Sequence, residues 1–262
     1  MHEGISVTAS AAFKLERKLQ IIANNLANLG NTGFKKDGMV FQEMIPPFNP
    51  AALQAAREIP RPFQESNLNV SYVGISRFFT DNSQGSLRPT GNTLDFALEG
   101  DGYLVLKTPQ GVRYTRDGNF KLDPEGHVIN QNGYAVLGRN GKPIKIDLAG
   151  GQLSVDASGN ISVGRGLENV PSGEFKLVNF ENPSALVKEG GGLLRLSSAG
   201  TKEKTPEKLY IRQGFLEASN VNPVQEMTEM ITTLRAFEAY QKVIQSIDQA
   251  DDLSVNTLGR IG

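Results

Sequence analysis

Apolar residues at the start of the chain recur at helical spacing. Ile5, Thr8, Ala12, Leu15, Leu19, Ile22, Leu26 and Leu29 step alternately by three and four, a heptad seam that is apolar everywhere except Thr8. Lys14, Glu16, Arg17, Lys18 and Gln20 fall mostly off that seam. The pattern predicts a helix over 5–29, about 37 Å long at 1.5 Å per residue, with Gly30 as its stop. The other end reads similarly. Asn222 or Ser219 is placed to cap a helix with Pro223 in its first turn. Val224, Met227, Ile231, Leu234, Phe237, Tyr240, Ile244 and Ile247 follow as one seam, with a drift near Phe237 where steps of three succeed one another. Met230 and Val243 widen it.

Between these ends the period changes. From about Val73 to Phe215 the sequence is short β-type runs divided by turn dipeptides. Asp101-Gly102, Gln110-Gly111, Asp117-Gly118, Glu125-Gly126, Asn132-Gly133 and Asn140-Gly141 place glycines 7 to 9 residues apart, a spacing that predicts hairpins. Tyr103–Leu106, Gly133–Leu137 and Phe175–Val178 are strand candidates. The expected fold is therefore mixed α and β: a discontinuous terminal helical domain from both chain ends (1–45 and 216–262) and a central all-β domain (73–215). Five prolines fall between Pro46 and Pro62, so 46–72 reads as a Pro-rich linker.

Two helices bury only one stripe on each other. A seam leucine gains roughly 1.5–3 kcal/mol on full burial, and the C-terminal stripe is too broad for one neighbour. Such helices favour a bundle with members from other chains. Asn24, Asn25 and Asn28 sit around Leu26 although Asn is a poor helix former. Their amides are candidates for fixing helix register.

Composition narrows the chemistry. The 27 basic and 28 acidic residues of the 262-residue chain nearly cancel, against a general polyanion or nucleic-acid binder. There is no cysteine, which excludes disulfides, thiolate metal sites and cysteine nucleophiles. Two histidines, His2 and His127, exclude a multi-histidine metal site within one chain. No apolar run approaches the roughly 20 residues of a membrane span. The charged residues at 14–18 interrupt any signal-peptide core, so the expectation is export, if any, by a route without a cleaved signal. Nucleophile-elbow and phosphate-loop motifs are missing. Glu99 and Asp101 flank Gly100 as a carboxylate pair, read as part of a hairpin turn at Asp101-Gly102. The residues imply no catalytic group, cofactor, metal or small-molecule substrate.

Three sets of residues together resemble one family. Asn24-Asn25-Leu26-Ala27-Asn28 followed by Thr32-Gly33-Phe34-Lys35 is similar to the N-terminal signature of the bacterial flagellar rod and hook proteins. The stretch from Gln213-Gly214-Phe215-Leu216-Glu217 through Asn220-Val221-Asn222-Pro223 resembles the matching C-terminal signature. Thr90–Tyr103 and Tyr114–Phe120 resemble the central domain between them. The length and the single central β domain are similar to the rod proteins rather than the longer hook subunit, and the Phe180–Leu186 segment and the Thr108-Pro109-Gln110-Gly111 turn resemble the proximal-rod type more than the distal-rod type. The resemblance implies a structural subunit of the basal-body rod, in the shaft that spans the periplasm and transmits torque. It implies copies of the chain and other rod and hook proteins as partners, and passage through the flagellar export apparatus. The implied assembly interface is Leu15, Leu19, Ile22, Asn24, Asn25, Leu26, Asn28 and Leu29 with Asn220, Asn222, Met227, Ile231, Leu234, Phe237, Tyr240 and Ile244. A second reading is a surface or secreted β-domain binding module oligomerised by its helices. It requires an exposed aromatic platform, for which Tyr103, Tyr114, Phe120 and Tyr134 are the candidates, and the absence of Trp weighs against it.

Overall fold

The structure is a computed structural model that describes residues 2–44, 72–147, 151–165, 168–197 and 201–258. Most of the expected Pro-rich linker lies outside the described residues. Among the described residues, two α-helices bracket eighteen short strands in the element order. The fold is thus mixed, with a mostly β centre. It divides into two compact units. The first takes in Met1–Asn24, Asp37–Phe79 and Val224–Gly262, and the second Asn25–Lys36 and Thr80–Pro223.

In the first unit, helix α1 (His2–Ala27) contributes all but its last turn. Helix α2 (Pro223–Leu258) starts at Pro223, whose missing N–H costs nothing in a first turn. Lys18 of α1 and Glu229 of α2 form an ion pair at 2.7 Å. Strands β1 (Asp37–Met44) and β2 (Tyr72–Thr80) pair as a two-stranded ribbon. A Cβ at Gly38 would lie 2.5 Å from the tip of the Phe79 ring, so that half-exposed ring packs directly over the glycine.

The second unit is built on β5 (Tyr103–Thr108), which pairs with β6 (Gly111–Thr115), β9 (Ala135–Val136) and β13 (Leu177–Phe180). Its apolar run faces two ways, as a strand buried on both sides must. Leu104 and Leu106 join a core with Phe96, Phe120 and Phe175, while Tyr103 and Val105 join a second with Tyr114 and Phe180. Rings meet edge-on at 5.1 Å (Phe96–Phe175) and 4.9 Å (Tyr114–Phe180), the geometry aromatic quadrupoles favour.

Four of the six expected glycine turns are hairpins or tight reversals, with positive φ at Gly111, Gly126, Gly133 and Gly141. Asp101-Gly102 and Asp117-Gly118 are not hairpin turns. Strand β4 (Phe96–Gly100) pairs with β17 (Leu209–Gln213), not with β5. Strand β7 (Phe120–Leu122) pairs with β8 (Val128–Asn130), not with β6. Glycine is needed there for close approach: a Cβ at Gly118 would fall 1.7 Å from the Phe96 carbonyl oxygen, and one at Gly102 would fall 2.5 Å from Leu209.

Candidate functional site

Two features stand out: the helix faces of the first unit and a buried ionic clasp in the second.

On α1 the expected seam is the covered side. Ile22 is buried, and Leu15, Leu19 and Leu26 are half-buried. Asn25 is buried, Asn28 and Leu29 are half-buried and Asn24 is exposed. On α2 the structure distributes the expected seam over two faces. Glu226 and Thr233 are buried and Met230, Phe237, Ile244 and Ile247 half-buried, which traces one helical stripe. Met227, Ile231 and Leu234 lie on another stripe, 53%, 54% and 45% exposed. Tyr240 is exposed near the edge of the covered stripe. The consecutive steps of three around Phe237 mark the crossing from one stripe to the other.

In the second unit the residues of the N-terminal, central and C-terminal signatures converge. Glu217 ends strand β18 (Phe215–Glu217), which pairs with β3 (Leu87–Pro89). Its carboxylate has no solvent exposure and takes Lys35 Nζ at 2.6 Å on one oxygen and Arg116 at 3.1 Å on the other. Lys35 also donates to the Ser83 carbonyl at 2.7 Å, and Gly85 N–H to Glu217 at 2.9 Å. Arg116 donates to the Gly100 carbonyl at 2.6 Å and lies 5.5 Å from the centre of the Tyr103 ring. Backbone bonds flank the ions: Gly33 N–H donates to the Glu217 carbonyl at 2.8 Å, and Asn220 N–H to that of Phe34 at 3.3 Å. The Asn220 amide accepts from Lys36 N–H at 2.7 Å and donates to the Asp81 carbonyl at 2.9 Å. Thr32 donates its hydroxyl proton to Asp117. Gly33 has φ +65°, and a Cβ there would sit 2.6 Å from the Arg116 carbonyl carbon, so both conformation and space require glycine.

Burial pushes the Lys35 ammonium below its ordinary range, against the pull of Glu217. Burial likewise raises the Asp117 carboxyl, opposed by the Thr32 hydroxyl. The charges of Lys35, Arg116 and Glu217 were not singled out in the sequence. The available signal was a glutamate closing the apolar run Phe215-Leu216.

The other candidates resolve individually. Glu99 is paired with Arg212 at 2.5 Å while Asp101 is exposed, so they do not act as a carboxylate pair. Tyr103, Tyr114 and Phe120 are buried and form no exposed platform; Tyr134 is half-buried. Asp123, Glu125 and His127 bring their ligand atoms within 4.8 Å of one another, close enough for a metal ion. Asp123 is already used within its turn, accepting from His127 N–H at 2.6 Å and lying 3.1 Å from His127 Nδ1.

Comparison with known proteins agrees with these convergent segments. The profile described as flagellar hook protein FlgE/F/G D1 domain matches residues 97–163, and that of the flagellar basal body rod FlgEFG protein C-terminal matches 212–257. The chain is 35% identical to the flagellar basal-body rod protein FlgF of Caulobacter vibrioides over all of both chains. It is 32% identical to FlgF of Mesorhizobium japonicum, over 99% of each chain. Identity to FlgG of Bacillus subtilis is 33%, over 89% of this chain and 90% of that one. Full-length alignment to the FlgF relatives fits the proximal-rod resemblance. The chain belongs to the flagellar basal-body rod protein family, as a structural subunit of the rod.

Proposed function

We propose that the chain polymerises through a discontinuous domain formed by both ends, α1 and α2. The observation that carries this reading is the solvent-facing apolar stripe Met227, Ile231 and Leu234. Three large side chains at one helical spacing, exposed together, are an interaction face rather than scattered surface residues. Leu15, Leu19 and Ile22 form the inner face of the same domain, and the Asn24–Asn28 amides and Asn220 and Asn222 set where it begins. The partners are copies of the chain and neighbouring rod and hook proteins. The chain reaches them through the flagellar export apparatus. Its work is mechanical and not catalytic, with no cofactor, nucleic acid or small-molecule substrate.

The test is Ile231→Asp beside Leu19→Asp. Each places a charge in an apolar helix contact. The expected result is loss of sedimenting polymer and of motility in complemented cells, with the β unit still folded by circular dichroism. Normal polymer and motility with both substitutions would overturn the reading.

A further inference from the structure

The first unit carries a second exposed apolar feature. Between α1 and the β1–β2 ribbon lies a hollow of about 210 Å³, lined by Arg17, Gln20, Ile21, Asn24, Asp37 and Phe78. Its apolar surfaces are Ile21 and the Phe78 ring, which is 62% exposed. Its rim carries opposite charges, Arg17 on the helix and Asp37 on the ribbon. The Arg17 guanidinium is held in place, 5.2 Å from the centre of the Phe13 ring and donating to Gln20 at 3.0 Å. One bond to Gln20 leaves most of its five N–H donors for another acceptor.

The exposed stripe of α2 has the complementary order. Leu234 is followed one turn later, about 6 Å along the axis, by Glu238, while Arg235 stands beside it. All three are exposed. We propose that the hollow beside Phe78 receives the Leu234 face of α2 from a second copy of this chain. Leu234 enters over Phe78 and Ile21, Glu238 meets Arg17, and Arg235 meets Asp37. Within one chain both Phe78 and Leu234 face solvent, so they do not cover each other. The two surfaces are different, and each copy carries one of each. A contact of that kind is heterologous and extends into an open array instead of closing as a dimer. Opposite charges on the rim fix the register and reject the reversed approach. The inference rests on the polymerisation proposed above and adds which surfaces meet.

The chain has no cysteine, so introduced cysteines report without background. Phe78→Cys and Leu234→Cys chains of different tag length are mixed under polymerising conditions and mildly oxidised. The expected product is a disulfide-linked pair containing one of each, and a ladder of multimers from the doubly substituted chain. Polymer that pellets without this cross-link would overturn the contact while leaving the assembly reading intact. A double variant that cross-links only within one monomer would also overturn it. Failure of the unsubstituted chain to polymerise would sink both. Charge reversal gives an independent readout. Arg17→Glu and Glu238→Arg each weaken polymerisation about ten-fold, and the chain carrying both regains it. A double variant no better than either single one, with all three folded, would refute the pairing.

Discussion

The two units treat their apolar residues in opposite ways. In the β unit Leu104 and Leu106 have no solvent exposure, and Phe96, Phe120 and Phe175 pack on them. In the helical unit Met227, Ile231 and Leu234 are about half exposed, and Phe78 more so. The buried side of α2 is in part polar, with Glu226 and Thr233 covered while large aliphatic residues face outward. A domain selected to fold alone buries its largest apolar groups first. The β unit meets that description. The helical unit meets it only if further chains supply the missing cover, as the proposed polymer does.

The largest effect that tests this contrast is at the clasp. Glu217→Ala leaves Lys35 and Arg116 as buried charges without their counter-ion, and the β unit loses about 3–5 kcal/mol, read from denaturant unfolding. Replacing all three with apolar residues of similar size is expected to be far milder, because no charge is then stranded. Next comes a matched pair of truncations. Leu104→Ala costs about 2–5 kcal/mol, whereas Ile231→Ala changes monomer stability by no more than about 0.5 kcal/mol and weakens assembly. Equal losses of monomer stability at the two sites would erase the contrast. Gly33→Ala forces a left-handed backbone and a backbone clash, and costs about 1–3 kcal/mol. The smallest effect is in acid. Hydrogen bonds from Arg113, with Arg195 adding to them, hold the Glu189 carboxyl below its ordinary 4.5. A depressed carboxyl contributes stability that is present above the unfolded value and lost as pH falls through the folded one. Glu189→Gln should therefore flatten part of the decline in β-unit stability below pH 4.5, seen in melting temperature against pH.

The helices were legible because their signal is local and periodic. A seam of eight residues predicted α1 to within a few positions at either end. The two faces of α2 were not, since the steps of three near Phe237 join two stripes into what reads as one. Turn dipeptides predicted four reversals, but at Gly102 and Gly118 the glycine answers a neighbour far along the chain, Leu209 in one case and Phe96 in the other. The clasp was the least legible feature. Lys35 and Glu217 are 182 residues apart, and no short-range pattern announces such a pairing. The family resemblance quoted the segments that hold them without giving a reason for their charges.

The clasp also fixes how the β unit would bear tension. Asn25–Lys36, where the chain first passes through this unit, and the stretch from β18 to Asn220, where it finally leaves, are bonded to each other at Gly33–Glu217 and Phe34–Asn220. A pull between these two stretches is met at that seam, where the backbone bonds and the buried ions share the load. The β unit is in this sense a knotless loop with a locked neck, and the neck, not the sheet, sets the force at which it would open.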